Sequence, residues 1–372
     1  MRSLTVVQLL PALHAGGVER STLEIASALV RQGHRALVVS AGGRLVQPLL
    51  DSGAEHLTLD IGRKSLLTLR HMPTLRQLFT DVGADIVHAR SRLPAWLGWK
   101  AVQAMPAGRR PVWVTTVHGL NSPGRYSRIM TSGERVICVS NTVAAYVHRH
   151  YPDVPADRLR VIPRGIDLAD FPRRPRPDRP ARRAVTGLHP ALAGEEPLLL
   201  LPGRGTRLKG HAQAIELLAG LQAAGMPARL WMPGAEEAGR EDYLRELMAL
   251  ASRLGVADRL LATPATDRIA QAYAASDLVL QLSSKAEAFG RTVIEALAVG
   301  VPVLGWRHGG VGELLDDLQP AGAVPLGDMA ALRQAALALL AHPPHAPGRI
   351  PYTLQGMQNA TLDVYAELTA GR

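Results

Sequence analysis

The sequence predicts an α/β protein built from two doubly wound parallel sheets, each in a domain of its own. Short apolar runs alternate with stretches of helical periodicity through most of the chain, and such runs are typical of strands covered on both faces. The 372 residues exceed what one hydrophobic core usually supports. A segment with four prolines in ten residues, 171–180, separates the two series of elements.

We therefore expect a first domain over residues 1–172, a stiff solvated linker rich in Pro and Arg over 173–183, and a second domain over 184–352. Both domains should be Rossmann-like, because strands and helices alternate in each. The last periodic segment, within 353–372, has no strand beside it. We expect it to return to the first domain as a helix.

In the first domain, strands are expected at Leu4–Leu10, Ala36–Ser40, Leu57–Leu59, Ile86–His88, Val112–His118, Val136–Val139 and Arg160–Ile162. In the second domain, they are expected at Leu198–Pro202, Ala228–Met232, Leu260–Leu261, Leu278–Leu282 and Val301–Leu304. The intervening helices have apolar residues at helical spacing, and Gly33 and Gly300 each end one of them.

The composition is that of a globular protein without a spanning helix or a disulfide. No apolar run approaches the roughly 18 residues that a spanning helix needs, and a buried first strand explains the apolar N-terminus better than a secretory signal. The lone cysteine, Cys138, lies in an apolar strand, which indicates core packing and a reducing compartment. A cytoplasmic location is therefore expected.

The net charge of +10 is concentrated in the first part of the chain. Residues 1–172 carry 21 basic and 12 acidic side chains, whereas residues 184–372 carry 15 and 19. Two explanations stay open: a composition rich in arginine, and an anionic partner such as a membrane surface or an acidic acceptor. Nucleic acid is disfavoured, because aromatic residues make up only 4% of the chain and no binding motif occurs.

Two carboxylates, Glu287 and Glu295, stand eight residues apart in the stretch EAFGRTVIE. A helix N-terminus near Gly290–Thr292 would offer backbone N–H groups to a phosphate at the carboxyl end of a strand, where parallel sheets bind ligands. Carboxylates beside a phosphate site suit the hydroxyls of a sugar or a ribose. A glycine-rich loop, residues 308–313, is expected after the next strand. The pattern predicts a nucleotide-sugar site.

A second glycine-rich turn, GRGTRLKG at residues 203–210, follows the first strand of the second domain. Arg204 and Lys209 would converge on one anionic group there, which favours a diphosphate site over a cationic surface turn. The turn does not match the P-loop pattern. No cluster of His and Asp has the spacing of metal ligands, so no metal is expected.

In the first domain, three features lie where ligands bind in parallel sheets. Gly16 and Gly17 form a turn that would let a ligand approach the backbone, although a plain tight turn explains the pair as well. His118 and His88 each stand at the carboxyl end of a strand. We favour a functional role for His118, which Gly119 follows, and leave His88 undecided between function and packing.

On these residues the chain resembles the retaining glycosyltransferases of family four. They have the GT-B fold, in which two Rossmann-like domains face each other across a cleft. The resemblance extends from the turn at residues 16–21 to the loop at 308–313, and the two glutamates with Phe-Gly between them are its specific part. Residues 161–167 match as well, with Arg164 where the family often has Asn. Ala288 replaces a Gly common in the family.

The resemblance implies roles on the donor side. Glu287 would hold hydroxyls of the donor sugar and Glu295 those of the ribose, while Arg204 and Lys209 would neutralise the diphosphate. Backbone N–H groups of three successive residues would face the phosphates or the sugar, namely Phe289, Gly290 and Arg291.

It implies further that His118 contacts the donor sugar near the reacting centre, so that His118 and Glu287 are the predicted catalytic residues. Gly16 and Gly17 would let donor and acceptor approach the first helix. The base would pack near Thr263–Ala265.

The substrates implied by the resemblance are a nucleotide-sugar donor, expected to be a UDP-sugar, and a glycan or glycolipid acceptor. No cofactor and no metal are implied. The form Glu-Ala-Phe-Gly-Arg favours lipopolysaccharide core or another envelope glycan as the acceptor. The basic first domain would then suit an acceptor with phosphates, the protein being peripheral on the inner face of the cytoplasmic membrane.

Other functions of the same fold stay open. The intact charged residues disfavour a catalytically silent nucleotide-sugar-binding protein. A phosphorylase would need a pyridoxal-binding lysine, and the second domain has only Lys209 and Lys285. An epimerase does not fit the basic first domain. A nicotinamide dehydrogenase is the weakest alternative, because the glycine fingerprint is incomplete at residues 16–17.

Overall fold

Two parallel sheets organise the chain, one in each of two units. The computed structural model describes residues 2–14 and 16–371. The first unit comprises the chain up to Arg164 together with the residues from Leu354 onward, and the second comprises Gly165–Thr353. All strand pairings in both sheets are parallel among the described residues, so the predicted fold class is confirmed.

The sheet of the first unit has seven strands in the order β3-β2-β1-β4-β5-β6-β7. The strands are β1 (Thr5–Leu9), β2 (Arg35–Ser40), β3 (Glu55–Thr58), β4 (Ile86–Ala89), β5 (Val112–Val117), β6 (Arg135–Cys138) and β7 (Leu159–Val161). The helices are α1 (Gly17–Arg31), α2 (Val46–Asp51), α3 (His71–Asp81), α4 (Arg92–Gln103), α5 (Asn141–His150) and α13 (Leu354–Thr369).

The sheet of the second unit has six strands in the order β10-β9-β8-β11-β12-β13. The strands are β8 (Leu198–Leu200), β9 (Arg229–Pro233), β10 (Leu260–Thr263), β11 (Leu278–Gln281), β12 (Val303–Trp306) and β13 (Ala323–Val324). The helices are α6 (Arg179–Leu188), α7 (His211–Ala223), α8 (Glu241–Arg253), α9 (Ile269–Ala275), α10 (Arg291–Val299), α11 (Gly309–Leu318) and α12 (Met329–Ala341).

Both sheets reverse their strand order once, between β1 and β4 in the first unit and between β8 and β11 in the second. Strands at these points are in register, with Val7 opposite Val87 and Leu200 opposite Val279. Loops leaving two adjacent strands in opposite directions open a crevice at the carboxyl ends, which is where such sheets bind ligands. The topology therefore places the loops after β8 and β11 side by side.

The final helix, α13, packs in the first unit against α1. Gln358 donates to the backbone oxygen of Glu24 at 2.8 Å and accepts a hydrogen bond from Arg31 at 2.9 Å. Tyr365 of the same helix is 1% exposed. Among the described residues, none of the helices combines the length and the apolar character needed to cross a membrane.

The structure differs from the sequence prediction at the expected linker, residues 173–183. This stretch belongs to the second unit, and its latter part is the start of α6, which Asp178 caps by accepting a hydrogen bond from the N–H of Ala181. Arg182 donates to the backbone oxygens of Ala275 and Glu196. The prolines indicated an extended segment, but a proline near a helix start is compatible with helix, because its missing N–H is not needed there.

Candidate functional site

The loops after β8 and β11 bring two predicted residues of the second unit into direct contact. Lys209 donates through Nζ to Glu287 Oε1 at 2.5 Å. The two side chains are 32% and 25% exposed, so the ion pair is partly exposed and accessible to a ligand. The sequence assigned these two residues to separate parts of a donor, and the structure shows that they form one charged cluster.

Neighbouring polar groups fix the carboxylate of Glu287. Ser283 Oγ lies 2.6 Å from the same Oε1 atom, and His308 Nε2 lies 2.8 Å from the backbone oxygen of Ser283. Burial raises the pKa of Glu287, but the charge of Lys209 and hydrogen bonds from Lys209, Ser283 and Gln281 outweigh it, so the pKa lies below its ordinary value. Glu287 is therefore an oriented anion that can accept hydrogen bonds from hydroxyls.

Glycines let the loop at residues 203–210 pack closely against its neighbours. A Cβ on Gly205 would lie 2.2 Å from the oxygen of Ala235. Gly210 has φ +81°, and a Cβ there would lie 2.2 Å from the oxygen of Leu282, in the segment that follows β11. Only glycine fits at these positions, because a Cβ atom would clash with backbone atoms, which cannot rotate away as a side chain can. The close packing fixes Lys209 beside Glu287.

A cavity of about 320 Å³ lies at the carboxyl ends of β8, β9 and β10. Gly203, Arg204, Glu237 and Ala265 are among its lining residues. Arg204 is exposed, and no described side chain forms an ion pair with it. Of the segment predicted to lie near the base, Thr263–Ala265, Ala265 lines this cavity.

The cavity adjoins the charged cluster through Gly203. A Cβ built on Gly203 would lie 3.7 Å from Cδ of Lys209, so the lysine side chain runs past the residue that lines the cavity. Cavity, lysine and Glu287 therefore follow one another along the carboxyl edge of the sheet.

Glu295 lies in the second turn of α10 and is 8% exposed. Tyr273 donates to its Oε2 at 2.9 Å, and Arg291 Nε lies 3.5 Å from its Oε1. The pKa of Tyr273 is raised well above its ordinary value by burial and by the charge of Glu295, so the phenol stays protonated and keeps donating. Glu295 is thus held in place by two internal partners and has little exposed surface.

At the start of α10, Gly290 is the N-cap with φ +116°, and a Cβ there would meet Val311 at 2.9 Å. Phe289 is 6% exposed and packs edge to face on Tyr352, with 5.7 Å between the ring centroids. Arg291 is the first residue of the helix. The three residues predicted to offer backbone N–H groups therefore lie at a helix N-terminus.

The glycine-rich loop expected at residues 308–313 is the first turn of α11, so this prediction was wrong. His308 is the N-cap and Gly309 the first helical residue. The glycines are needed for close packing, because a Cβ on Gly310 would lie 2.4 Å from the oxygen of Phe289 and one on Gly309 2.7 Å from that of Glu287. Glycine composition alone did not distinguish a ligand loop from a helix that packs on backbone.

In the first unit, His118 directly follows β5 and is partly buried. Arg164 contacts its Nδ1 atom, and its Nε2 atom is buried and has no hydrogen-bond partner among the described residues. The pKa of His118 lies well below its ordinary value, first because of burial and then because of the charges of Arg164, Arg90 and His88. His118 is therefore a neutral imidazole.

Gly16 and Gly17 lie at the N-terminus of α1. Gly16 is the N-cap with φ +141°, and Gly17 begins the helix with open space where a side chain would be. His88 is fully buried, with its ring nitrogens 2.6 Å from the Tyr365 hydroxyl and 2.6 Å from the Thr116 hydroxyl. The question left open for His88 is thus resolved in favour of packing.

Sequence reasoning did not single out Ser283, Tyr273 and His308, which support the two glutamates. The sequence does contain a feature that could have identified Ser283, since it is a polar residue just past the carboxyl end of β11. No sequence feature could have identified Tyr273, because its hydroxyl contacts Glu295 only through the packing of α9 on α10. Within residues 2–14 and 16–371, no three His, Cys, Asp or Glu side chains are grouped to hold a metal ion.

Comparison with known proteins identifies the class. Residues 15–170 match the model described as Glycosyltransferase Family 4, and residues 189–350 match the model described as Glycosyl transferases group 1. Since the two models cover both units, the chain is a glycosyltransferase. It belongs to glycosyltransferase family 4.

Curated relatives agree with this assignment. The chain is 28% identical to a D-inositol 3-phosphate glycosyltransferase of Xylanimonas cellulosilytica, over 96% of this chain and 93% of the relative. It is 33% identical to a protein of the same name from Segniliparus rotundus, over 50% of this chain but only 39% of that relative. The chain therefore spans less than half the length of the second relative.

Solved structures show the same fold. A glycosyltransferase from Rickettsia africae ESF-5 superimposes with a TM-score of 0.84, at 23% identity and full coverage of both chains. Anabaena Alr3699/HepE in complex with UDP and glucose has a TM-score of 0.74, at 21% identity, covering 98% of this chain and 95% of that one. WaaG, a glycosyltransferase involved in lipopolysaccharide biosynthesis, has a TM-score of 0.69, at 19% identity, covering 99% and 100%. All three are GT-B proteins by fold.

Proposed function

We propose that the chain transfers a sugar from a UDP-sugar to a glycan or glycolipid acceptor of the cell envelope, with retention of the anomeric configuration. The observation that carries the donor part is the Lys209–Glu287 pair at the switch point of the second unit, beside a cavity at the carboxyl ends of β8, β9 and β10. A base needs an apolar cavity, a diphosphate needs a cation, and a sugar needs a group that accepts hydrogen bonds from hydroxyls. The cavity, Lys209 and Glu287 lie along the sheet edge in that order.

In this proposal the base and its ribose occupy the cavity, whose volume of about 320 Å³ is at the small end of the range for ligand sites. Lys209 has three N–H donors, so it can hold Glu287 and a phosphate oxygen together. Arg204, on the cavity wall, adds a second cation, and the N-terminus of α10 adds backbone N–H groups. With this positive charge at the leaving group, the proposal requires no metal.

Glu287 would then accept hydrogen bonds from the sugar hydroxyls, and Glu295 would contact the ribose. Glu295 is 8% exposed, and Tyr273 and Arg291 already contact its two carboxylate oxygens, so a ligand would reach only the small exposed part of this side chain. His118 would donate to an oxygen of the sugar, and Gly17 would leave room at α1 for the acceptor. The complex of Anabaena Alr3699/HepE with UDP and glucose supports a uridine donor through the shared fold.

The acceptor has two candidates. Similarity in fold to WaaG supports lipopolysaccharide core or a related envelope glycan. The names of the relatives support D-inositol 3-phosphate instead, and the relative from Xylanimonas is matched over nearly its whole length. Both candidates agree with a first unit rich in basic residues, which would favour an acceptor with phosphate groups.

The donor proposal predicts selective thermal stabilisation. UDP and UDP-sugars at about 100 times their Kd should stabilise the protein by about 2.7 kcal/mol, because ligand binding to the folded state alone shifts the unfolding equilibrium. The measurement is the melting temperature with UDP-, GDP- and ADP-sugars, followed by NMR of the product's anomeric centre. If no nucleotide sugar raises the melting temperature, the donor proposal fails.

Acceptor assays separate the remaining alternatives. The purified enzyme is incubated with the stabilising donor and either D-inositol 3-phosphate or a lipopolysaccharide core acceptor, and the glycosylated product is detected by mass spectrometry. Donor binding with neither sugar transfer nor donor hydrolysis would favour the catalytically silent binding protein. Phosphate-dependent release of a sugar phosphate would favour a phosphorylase.

We also propose that the first unit associates with an anionic membrane surface. Leu67 and Leu69 are 69% and 47% exposed, and the basic residues around them, Arg63, Lys64 and Arg70, are exposed too. Exposed leucines can insert at a lipid interface, while basic side chains are attracted to anionic head groups. This basic–leucine segment, residues 63–70, would keep the enzyme peripheral at the inner face of the cytoplasmic membrane, where envelope acceptors are made.

Vesicle binding tests the membrane proposal. The wild type should sediment with phosphatidylglycerol vesicles, lose that binding at high salt because exposed charges are screened, and bind phosphatidylcholine vesicles weakly. Changing Leu67 and Leu69 together to serine should lower the bound fraction several-fold. Leu188→Ser, which removes a 60% exposed leucine from the second unit, should leave it unchanged. Equal binding to both vesicle types would refute the proposal.

A further inference from the structure

A buried cation lies against the predicted catalytic histidine of the first unit. Arg164 is 8% exposed, immediately precedes the junction to the second unit, and donates through Nη1 to Ser21 Oγ at 2.7 Å. Its Nη2 atom contacts Nδ1 of His118. Ser21 belongs to α1, so the guanidinium joins this helix to the loop after β5.

The chemistry of the guanidinium decides which imidazole nitrogen carries the proton. An arginine side chain has five N–H donors, no acceptor, and is not deprotonated in proteins. Nδ1 of His118 must therefore accept the hydrogen bond. A neutral imidazole has one protonated nitrogen, so the proton is on Nε2.

The remaining nitrogen of His118 has no partner in the described chain. Its Nε2 atom is buried and forms no hydrogen bond. A buried donor without an acceptor is unfavourable, and an oxygen of a bound ligand would satisfy it. The charges of Arg164, Arg90 and His88 act on the ring, and all three oppose its protonation.

We propose that Arg164 is a positioning residue that holds His118 in its Nε2–H tautomer, so that the ring presents a hydrogen-bond donor to an oxygen of the bound sugar. This proposal rests on the proposed role of His118 at the donor sugar. An amide at position 164 could accept a hydrogen bond from Nδ1–H and would allow the Nδ1–H tautomer. A carboxylate there can only accept, so it would impose that tautomer. Arginine excludes it.

NMR of the full-length protein with ¹⁵N-labelled histidine tests the tautomer without any substrate. The wild type and Arg164→Lys should show Nε2–H with Nδ1 unprotonated, because lysine also only donates. Arg164→Glu should show a proton on Nδ1. A wild-type ring protonated on Nδ1 would overturn the proposal, whether or not the enzyme accepts any donor.

Kinetics test the consequence for transfer. Arg164→Glu should lower kcat about 100-fold, the usual effect of losing one oriented donor, while the KM for the donor changes less. Arg164→Lys should recover most of the activity. In a His118→Ala background, Arg164→Glu should have little further effect, since the residue acts through His118.

A purely structural role for Arg164 predicts a different pattern. Arg164→Glu would then lower activity by the same factor with and without His118, and the proposal would be wrong. Arg160→Met, which removes an exposed arginine paired with Glu367, is the control for loss of a cation from this unit. It should leave the tautomer and kcat unchanged.

Discussion

Replacing Lys209 by methionine is expected to lower kcat/KM for the nucleotide sugar by about 100-fold, or about 2.7 kcal/mol of transition-state stabilisation. Methionine keeps the length of the side chain and removes its charge. In the proposed donor complex, the leaving diphosphate then loses its nearest cation, and Glu287 loses its ion-pair partner beside a developing negative charge. Steady-state kinetics measure the loss in kcat/KM, and calorimetric titration with UDP measures the loss in affinity for the diphosphate.

A neighbouring cation provides the matched control. Arg207 lies two residues away, its side chain is 71% exposed, and it pairs with Glu246 instead of Glu287. Arg207→Met should therefore change kcat/KM by less than about twofold, because an exposed ion pair contributes little. If Lys209→Met keeps kcat/KM within threefold of the wild type, the assignment of the diphosphate to this loop is wrong.

Changing Gly310 to alanine is expected to destabilise the second unit by about 2 kcal/mol and to weaken donor binding. The new Cβ would lie 2.4 Å and 2.5 Å from the oxygen and Cα of Phe289 and 2.7 Å from the oxygen of Ala288. These are backbone atoms, so no side-chain rotation relieves the clash. The loop that carries Glu287 must move, since Gly310 also donates to the Glu287 oxygen at 2.7 Å.

Thermal unfolding and UDP titration test this prediction, with an expected fall in melting temperature of roughly 4–8 °C for a unit of this size. Gly348→Ala is the control, because a Cβ at that exposed glycine of the same unit meets nothing within 4 Å. A melting temperature and a UDP affinity of Gly310→Ala equal to those of the control would show that α11 does not support the loop.

The strands were predictable because their signal is local. A strand covered on both faces is a short continuous apolar run, and the runs that begin at Leu4, Val112 and Leu278 all form strands within one or two residues of the predicted bounds. The two-residue strand β13 was not predicted, since so short a run does not differ from a turn. The linker was misjudged, because the packing of Arg182 on neighbouring backbone carbonyls has no counterpart in composition.

The candidate residues were predictable in identity but not in arrangement. Charged and glycine residues just past a strand indicate a ligand edge, which is how Lys209, Glu287 and His118 were found. Their internal partners could not be found in this way. Tyr273 meets Glu295 through two packed helices, and Arg164 meets His118 although 46 residues separate them.

By itself, the sequence determined the two parallel sheets, the residues at their carboxyl edges and the resemblance to a glycosyltransferase family, because each depends on residue type and short spacing. Only the tertiary structure decided that Lys209 and Glu287 form one ion pair, that the glycines at 309 and 310 begin a helix, and that His88 is packed whereas His118 has an unmatched nitrogen. These outcomes depend on contacts between segments distant in the chain. Such contacts follow from how the strands are ordered and how helices pack on them, which residue spacing does not specify.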